Sequence, residues 1–375
     1  MPGLLPDIDP DGLLEYSVVF TDRSLNHMSQ SFQQVMNDIS AMLKQVYNAH
    51  AAIIVPGGGT YAMEAVARQF ATNKKCIVIR NGWFSFRWTQ IFDAGSIPEE
   101  STVLMARQIK EQKQAPFIPA PLEAVKATIE AQKPELVIAP HVETSSGMML
   151  PDDYIRAAAD ATHAAGGLFV LDCVASGTVW VDMEACHVDV LITAPQKGWS
   201  GSPCSGLVML SASARERIES TASTSFACDL LKWLQIMEAY EKGGFAYHAT
   251  MPTDALKAFR DVMKETEQYG FDKLKAAQLE LGRRVRDLLA SKGIKSVAAK
   301  GYEAPGVVVA YTEDGDIQNG KKFTELGIQI AAGVPLQCNE PADFQTFRLG
   351  LFGLDKLLNV DRTVATLEKA LDKVI

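Results

Sequence analysis

This sequence has no paired cysteines, no long apolar run and no excess of positive charge, and each lack closes off a class of protein. Its six cysteines stand at 76, 173, 186, 204, 228 and 338, with no C-x-x-C among them. That scatter argues against a zinc site or a disulfide scaffold and fits reduced thiols in a cytoplasmic protein. No uninterrupted apolar stretch approaches the ~18 residues of a membrane span. The opening "MPGLLPDIDPDGLLEY" is acidic and broken by Pro and Gly, unlike a secretory signal, and "LDKVI" at the other end matches no lipidation motif. Lys and Arg number 36 against 45 Asp and Glu, a net charge of -9, so no basic stripe recommends a nucleic-acid partner. There is no G-K-[ST], which excludes a P-loop, and no internal repeat.

What is present is an ordinary globular composition, 47% apolar and 22% charged over 375 residues, enough for a large core and two domains. Short apolar runs recur: "AAIIVP" (51–56), "CIVIR" (76–80), "ELVIAP" (135–140), "GLFVLD" (167–172), "VDVLITA" (188–194) and "GLVML" (206–210). Helical stretches such as "TYAMEAVARQFA" and "DDYIRAAADATHAAG" separate many of them, which predicts a mostly parallel sheet covered on both faces. Residues 253–293 read as long helices, followed by the strands "VVVAYT" (307–312) and "FRLGLFG" (347–353) and a closing amphipathic helix. The expected organisation is an N-terminal segment (1–20), a large α/β domain (21–252), and a helical connection leading into a small α+β domain (253–375).

In an open parallel sheet, ligands collect at the carboxyl ends of the strands. "GGGT" (57–60) follows one strand and opens a helix, Thr144 lies just beyond another, Asp172 closes a third, and Gln196 and Lys197 follow a fourth. Each has a plain alternative. A glycine-rich turn also serves packing, a strand-end aspartate also caps a helix, and a lone lysine is commonly solvated or paired. Together they fit pyridoxal phosphate. That cofactor needs a lysine for its aldehyde, a carboxylate to keep its pyridine nitrogen protonated, and amide donors at a helix N-terminus for its phosphate. "NGWFSFRW" (81–88) offers Trp83, Phe84 and Phe86 as an aromatic over the ring. The competing reading is an NADP-linked reductase in which "GGGTYA" is a dinucleotide turn and Arg80 reads a 2′-phosphate. It leaves Asp172 and Lys197 without a role.

The stretch from Asp172 to Ser211, "DCVASGTVWVDMEACHVDVLITAPQKGWSGSPCSGLVMLS", resembles the lysine region of class V, fold-type I pyridoxal-phosphate aminotransferases, with the alanine–glyoxylate and serine–glyoxylate group nearest. The resemblance extends over roughly residues 40–375. It implies that Lys197 holds the cofactor, Asp172 partners the pyridinium nitrogen and Val174 packs under the ring. Gly58, Gly59, Thr60 and Gln196 would then hold the phosphate. "GWFSFR" places Phe84 in the stacking position, and "HVETSSGMMLP" (141–151) puts Thr144 near the ring hydroxyl. "YHATMP" (247–252) makes Tyr247 and Thr250 phosphate ligands of a neighbouring subunit, hence a homodimer with shared active sites. "FRLGLFG" makes Arg348 the clamp for a substrate carboxylate.

Two departures accompany the match. The family's G-P-T or G-P-S turn near the N-terminus is replaced by "LLEYSVVF" (13–20), and the lysine motif reads A-P-Q-K in place of G-S-Q-K. The expected activity moves an amino group from a small amino acid, alanine or serine-like, to a 2-oxo acid such as glyoxylate or pyruvate. A 2-aminoethylphosphonate transaminase and a cysteine desulfurase-like lyase are the alternatives on the same fold. For the lyase, the mobile cysteine would have to be Cys338, which reads instead as a structural thiol, and the residue before the lysine would be His rather than Gln196.

Overall fold

The computed structural model describes residues 13–375. Seven strands form its main sheet: β1 (Ala51–Pro56), β2 (Lys75–Arg80), β3 (Glu100–Met105), β4 (Leu136–Pro140), β5 (Leu168–Asp172), β6 (Val190–Thr193) and β7 (Ser205–Leu210). Their spatial order is β1-β7-β6-β5-β4-β2-β3. The pairs from β6 through β5, β4 and β2 to β3 are parallel, whereas β7 runs antiparallel to both β6 and β1. β1 therefore points the same way as the parallel strands, and its carboxyl end reaches the same rim.

The central strands are apolar on both faces because helices cover both faces. Leu136 to Ala139, Leu168 to Leu171 and Val190 to Ile192 are all buried. β3 escapes the apolar-run reading of the sequence because it is an edge strand whose first residues are exposed. The helix Leu230–Glu241, also absent from that reading, packs against β1.

Five helices lie in and beside the crossovers: α1 (Gln30–Tyr47), α2 (Gly59–Val66), α3 (Trp83–Gly95), α4 (Leu122–Gln132) and α5 (Asp152–Ala164). α1 begins at Ser29, whose hydroxyl accepts the Phe32 amide at 3.1 Å, and ends at Asn48 in the left-handed region with φ 50°.

Thr253–Tyr269 packs against α1, and its Leu256, Phe259 and Met263 join the core of the large sheet. After Gly270 the next helix, Phe271–Ser291, turns its Leu274, Leu281, Val285 and Leu289 into a second core. That core lies under a three-stranded antiparallel sheet of Val307–Tyr311, Ala331–Ala332 and Thr346–Gly350. A third apolar cluster, including Phe117, Val142, Val297, Val309 and Leu336, joins the two units immediately behind the rim. No helix among the described residues is long and apolar enough to cross a membrane.

Candidate active site

A cavity of about 170 Å³ opens at the carboxyl ends of the parallel strands, lined by Gly59, Thr60, Phe84, Thr144, Asp172, Val174, Gln196 and Lys197 among others. Eight of the twelve residues singled out in the sequence thus converge on one wall system. Larger hollows exist elsewhere, one of about 800 Å³ near His163 and His187. Convergence of chemistry, rather than size, distinguishes this cavity.

Asp172 is the last residue of β5 and only 9% exposed. Its Oδ1 accepts the Val174 amide at 3.1 Å, and it has no ion pair among the described residues. Burial pushes its carboxyl up to about 6, and the negative Glu143 adds to the rise. A buried carboxylate left in this condition calls for a cationic N–H from a ligand.

Lys197 sits in a turn four residues beyond the end of β6. Burial lowers the affinity of its amine for a proton, and the nearby positive charge of Arg348 lowers it further. It forms no salt bridge among the described residues, and its Nζ lies 5.4 Å from the centroid of the Phe352 ring. The turn itself is rigid. Gly201 donates to the Pro195 carbonyl at 2.9 Å, and the Ser200 hydroxyl accepts the Leu354 amide at 3.0 Å. A Cβ at Gly198 would fall 2.1 Å from the Gly177 carbonyl oxygen, so only glycine fits there. Trp199, fully buried, packs among Tyr47, Trp180, Phe259 and Phe271. The lysine is carried on a loop bolted into the core.

Gly58 stands at the N-cap of α2, and Gly59 and Thr60 begin the helix. The amides of these three residues donate to no acceptor among the described residues. With the positive end of the helix behind them they form a cradle for an anion. A Cβ at Gly59 would come within 2.9 Å of Val174, so the glycine lets helix and strand loop approach closely. Gln196 is exposed at the edge of the cavity.

Phe84, at the start of α3, carries a guanidinium near its ring on either count: Arg87 at 5.3 Å and Arg348 at 5.5 Å from the centroid. Trp83 and Phe86 do not share that place; they pack on each other, and Phe86 carries Arg80 at 4.7 Å. Arg348 is anchored by its Nε to the Ala332 carbonyl at 2.7 Å. Burial lowers its proton affinity, and Glu143 opposes that shift. Tyr247 and Thr250 lie outside the cavity on an exposed surface, their hydroxyls 3.1 Å apart.

The dinucleotide reading loses its reader. Arg80 is buried and committed to Thr89 Oγ1 at 2.9 Å and to the Gln337 carbonyl at 3.2 Å. Cys338 is buried, and its thiol is pushed up to about 12 by that burial. None of residues 13–20 lines the cavity; Leu13, Leu14, Tyr16 and Val18 are largely exposed.

Two residues near the cavity were assigned no role from sequence, although both stand inside the motifs quoted above. Arg87 lines the cavity and donates to Thr60 Oγ1 at 3.0 Å. Glu143 lies behind the wall and binds the start of α3. Their positions become meaningful only when neighbouring loops are brought together.

Residues 13–346 match the family model described as Aminotransferase class-V. A 2-aminoethylphosphonate–pyruvate transaminase of Syntrophobacter fumaroxidans is 25% identical over 332 residues, covering 86% of this chain and 84% of the relative. Alanine–glyoxylate aminotransferase 1 of Saccharomyces cerevisiae is 26% identical, covering 78% and 77%. Among solved structures, an alanine–glyoxylate aminotransferase from Nostoc sp. superposes with a TM-score of 0.77 at 22% identity, covering 92% of this chain and 88% of its own.

Proposed function

From the premise that the chain belongs to the class-V aminotransferase family, we propose that it moves the amino group of a small amino acid, alanine or serine-like, to a 2-oxo acid such as glyoxylate or pyruvate, with pyridoxal 5′-phosphate held by Lys197. The observation that carries this reading is the pairing in one cavity of a lysine without an acidic partner and a buried carboxylate without a cationic one. The unpaired amides of Gly58, Gly59 and Thr60 supply the third element the cofactor requires.

When bound, the cofactor contributes an aldehyde and an electron-withdrawing ring. Asp172 would hold a proton on the ring nitrogen, a task suited to a buried carboxylate that has no salt-bridge partner among the described residues. Phe84 and Val174 would bound the ring on its two faces, and Thr144 would meet its hydroxyl. Arg348 clamps the carboxylate of each substrate in turn, its Nε bond to Ala332 holding the guanidinium in aim. Lys197 removes the proton from Cα of the donor and, in the second half of the reaction, delivers one to Cα of the new amino acid. Its lowered proton affinity leaves more of the amine neutral near pH 7, as a base requires.

At the phosphate end, Gln196 joins the three amides, and Arg87, held against Thr60, adds a positive charge. Tyr247 and Thr250 serve the same end of a neighbouring subunit's site in a homodimer. Six free cysteines suit a reducing compartment, and the cytoplasm is the proposed location.

A second donor, 2-aminoethylphosphonate, is favoured by the relative from Syntrophobacter. Purified protein loaded with cofactor and mixed with a panel of donors decides between them. Alanine or serine should convert the visible absorbance to that of the aminated cofactor. Conversion by 2-aminoethylphosphonate alone would replace the amino-acid reading.

A further inference from the structure

Phe84 and Thr144 come from different crossover loops, and one carboxylate ties those loops together. Glu143 is fully buried. Its Oε1 accepts the amide of Phe84 at 3.2 Å, the amide of Ser145 at 3.0 Å and the Ser145 hydroxyl at 2.8 Å. Its Oε2 accepts the Ser85 amide at 2.8 Å and the Ser85 hydroxyl at 2.7 Å. Ser145 Oγ in turn accepts the Trp83 amide at 2.8 Å. The join is tight: a Cβ on Gly82 would lie 2.0 Å from Ser145 Oγ and 2.7 Å from Glu143 Cγ.

A buried charge normally requires an opposite charge. Glu143 has no salt-bridge partner among the described residues. Five donors and the positive end of α3 stabilise it instead. Such an arrangement is specific in a way an apolar contact is not, because every donor fixes a direction as well as a distance. The residues it orders are the aromatic wall of the cavity and, through its own chain neighbour, Thr144.

We propose that Glu143 is a positioning residue of the active site, which sets the Phe84 ring and Thr144 in place before the cofactor arrives. The proposal rests on the cofactor reading above and adds to it a preformed wall. Its negative charge also lies close enough to Asp172 to raise the affinity of that carboxylate for a proton.

The test is a variant cycle on apoprotein, read as the dissociation constant for pyridoxal 5′-phosphate and as the melting temperature. In Glu143→Gln one oxygen becomes an NH2 group that faces backbone N–H donors, so at least one bond is lost and an N–H is set against an N–H. We expect cofactor binding to weaken about 10-fold or more in that variant and comparably in Phe84→Ala. Because Glu143 acts through the ring and Thr144, adding Glu143→Gln to a Phe84→Ala/Thr144→Ala background should weaken binding less than about 3-fold further. If Glu143→Gln does not fold, Ser85→Ala and Ser145→Ala each remove one hydroxyl donor, and each should weaken binding several-fold with a near-native melting temperature. Independent, multiplying losses in the cycle, or wild-type affinity in Glu143→Gln or in both serine variants, would overturn the positioning role. Failure of the wild-type apoprotein to bind the cofactor at all would instead remove the underlying reading.

Discussion

The two ends of the proposed cofactor cavity are built in opposite ways. At the ring end, Asp172, Thr144 and Glu143 are buried within one chain. At the anion end, Thr60 and Gln196 are exposed, Tyr61 is 56% exposed, and Tyr247 with Thr250 stands on open surface. The difference follows from the chemistry each end performs. Tuning the affinity of a carboxylate for a proton needs low dielectric and a fixed geometry, which burial provides. Holding a phosphate needs donors and positive charge, which an exposed helix end can offer and a second subunit can complete.

The largest effect should come from breaking the ring end. Asp172→Asn should lower turnover by at least about 100-fold, measured at saturating cofactor. The same change should stabilise the apoprotein. The Asp172 carboxyl is raised from its ordinary 3.8 to about 6, so the folded state holds its proton more tightly than the unfolded chain does. Wild-type apoprotein therefore loses stability relative to Asp172→Asn as pH rises from about 4 through about 6, by on the order of 3 kcal/mol in all. Melting curves of both apoproteins across that window check the sign. Equal curves at every pH would remove the claim that this carboxylate is left unpaired by the fold.

The substrate side comes next. Arg348→Gln should raise KM for donor and acceptor by about 10- to 100-fold with a smaller loss in kcat, as expected for a charge-assisted contact. Steady-state kinetics with both substrates varied would show it. An unchanged KM would move the carboxylate clamp elsewhere. The smallest effect belongs to the open end. Arg87→Met should weaken pyridoxal 5′-phosphate binding about 3- to 5-fold, the modest scale of a partly exposed charge, and leave pyridoxal binding unchanged. Equal weakening of both ligands would make Arg87 a packing residue.

The same contrast explains what could be read in the sequence. Asp172 and Lys197 stand out because each follows an apolar strand, where a charge conflicts with its surroundings. The strands themselves announce their burial by unbroken apolar runs, but not their direction, so the antiparallel β7 was invisible among parallel neighbours. β3 lacked even the run. Glu143 carries no local signal of its work, since two of its five donors belong to Ser85, 58 residues away along the chain. Arg87 likewise acquires a partner, Thr60, only through the adjacency of two loops. The role proposed for the exposed pair Tyr247 and Thr250 depends on a contact that lies beyond a single chain. Resemblance supplied those two positions; local physics alone could not.

The central claim is that Lys197, half-buried and without a salt bridge among the described residues, carries the cofactor through a covalent bond. Borohydride reduction of the cofactor-loaded protein, followed by proteolysis and mass analysis, tests it directly. The account predicts a reduced pyridoxyl-phosphate group on the peptide containing Lys197 and on no other lysine. A modified lysine elsewhere, or an unmodified Lys197 peptide from fully loaded protein, would contradict it.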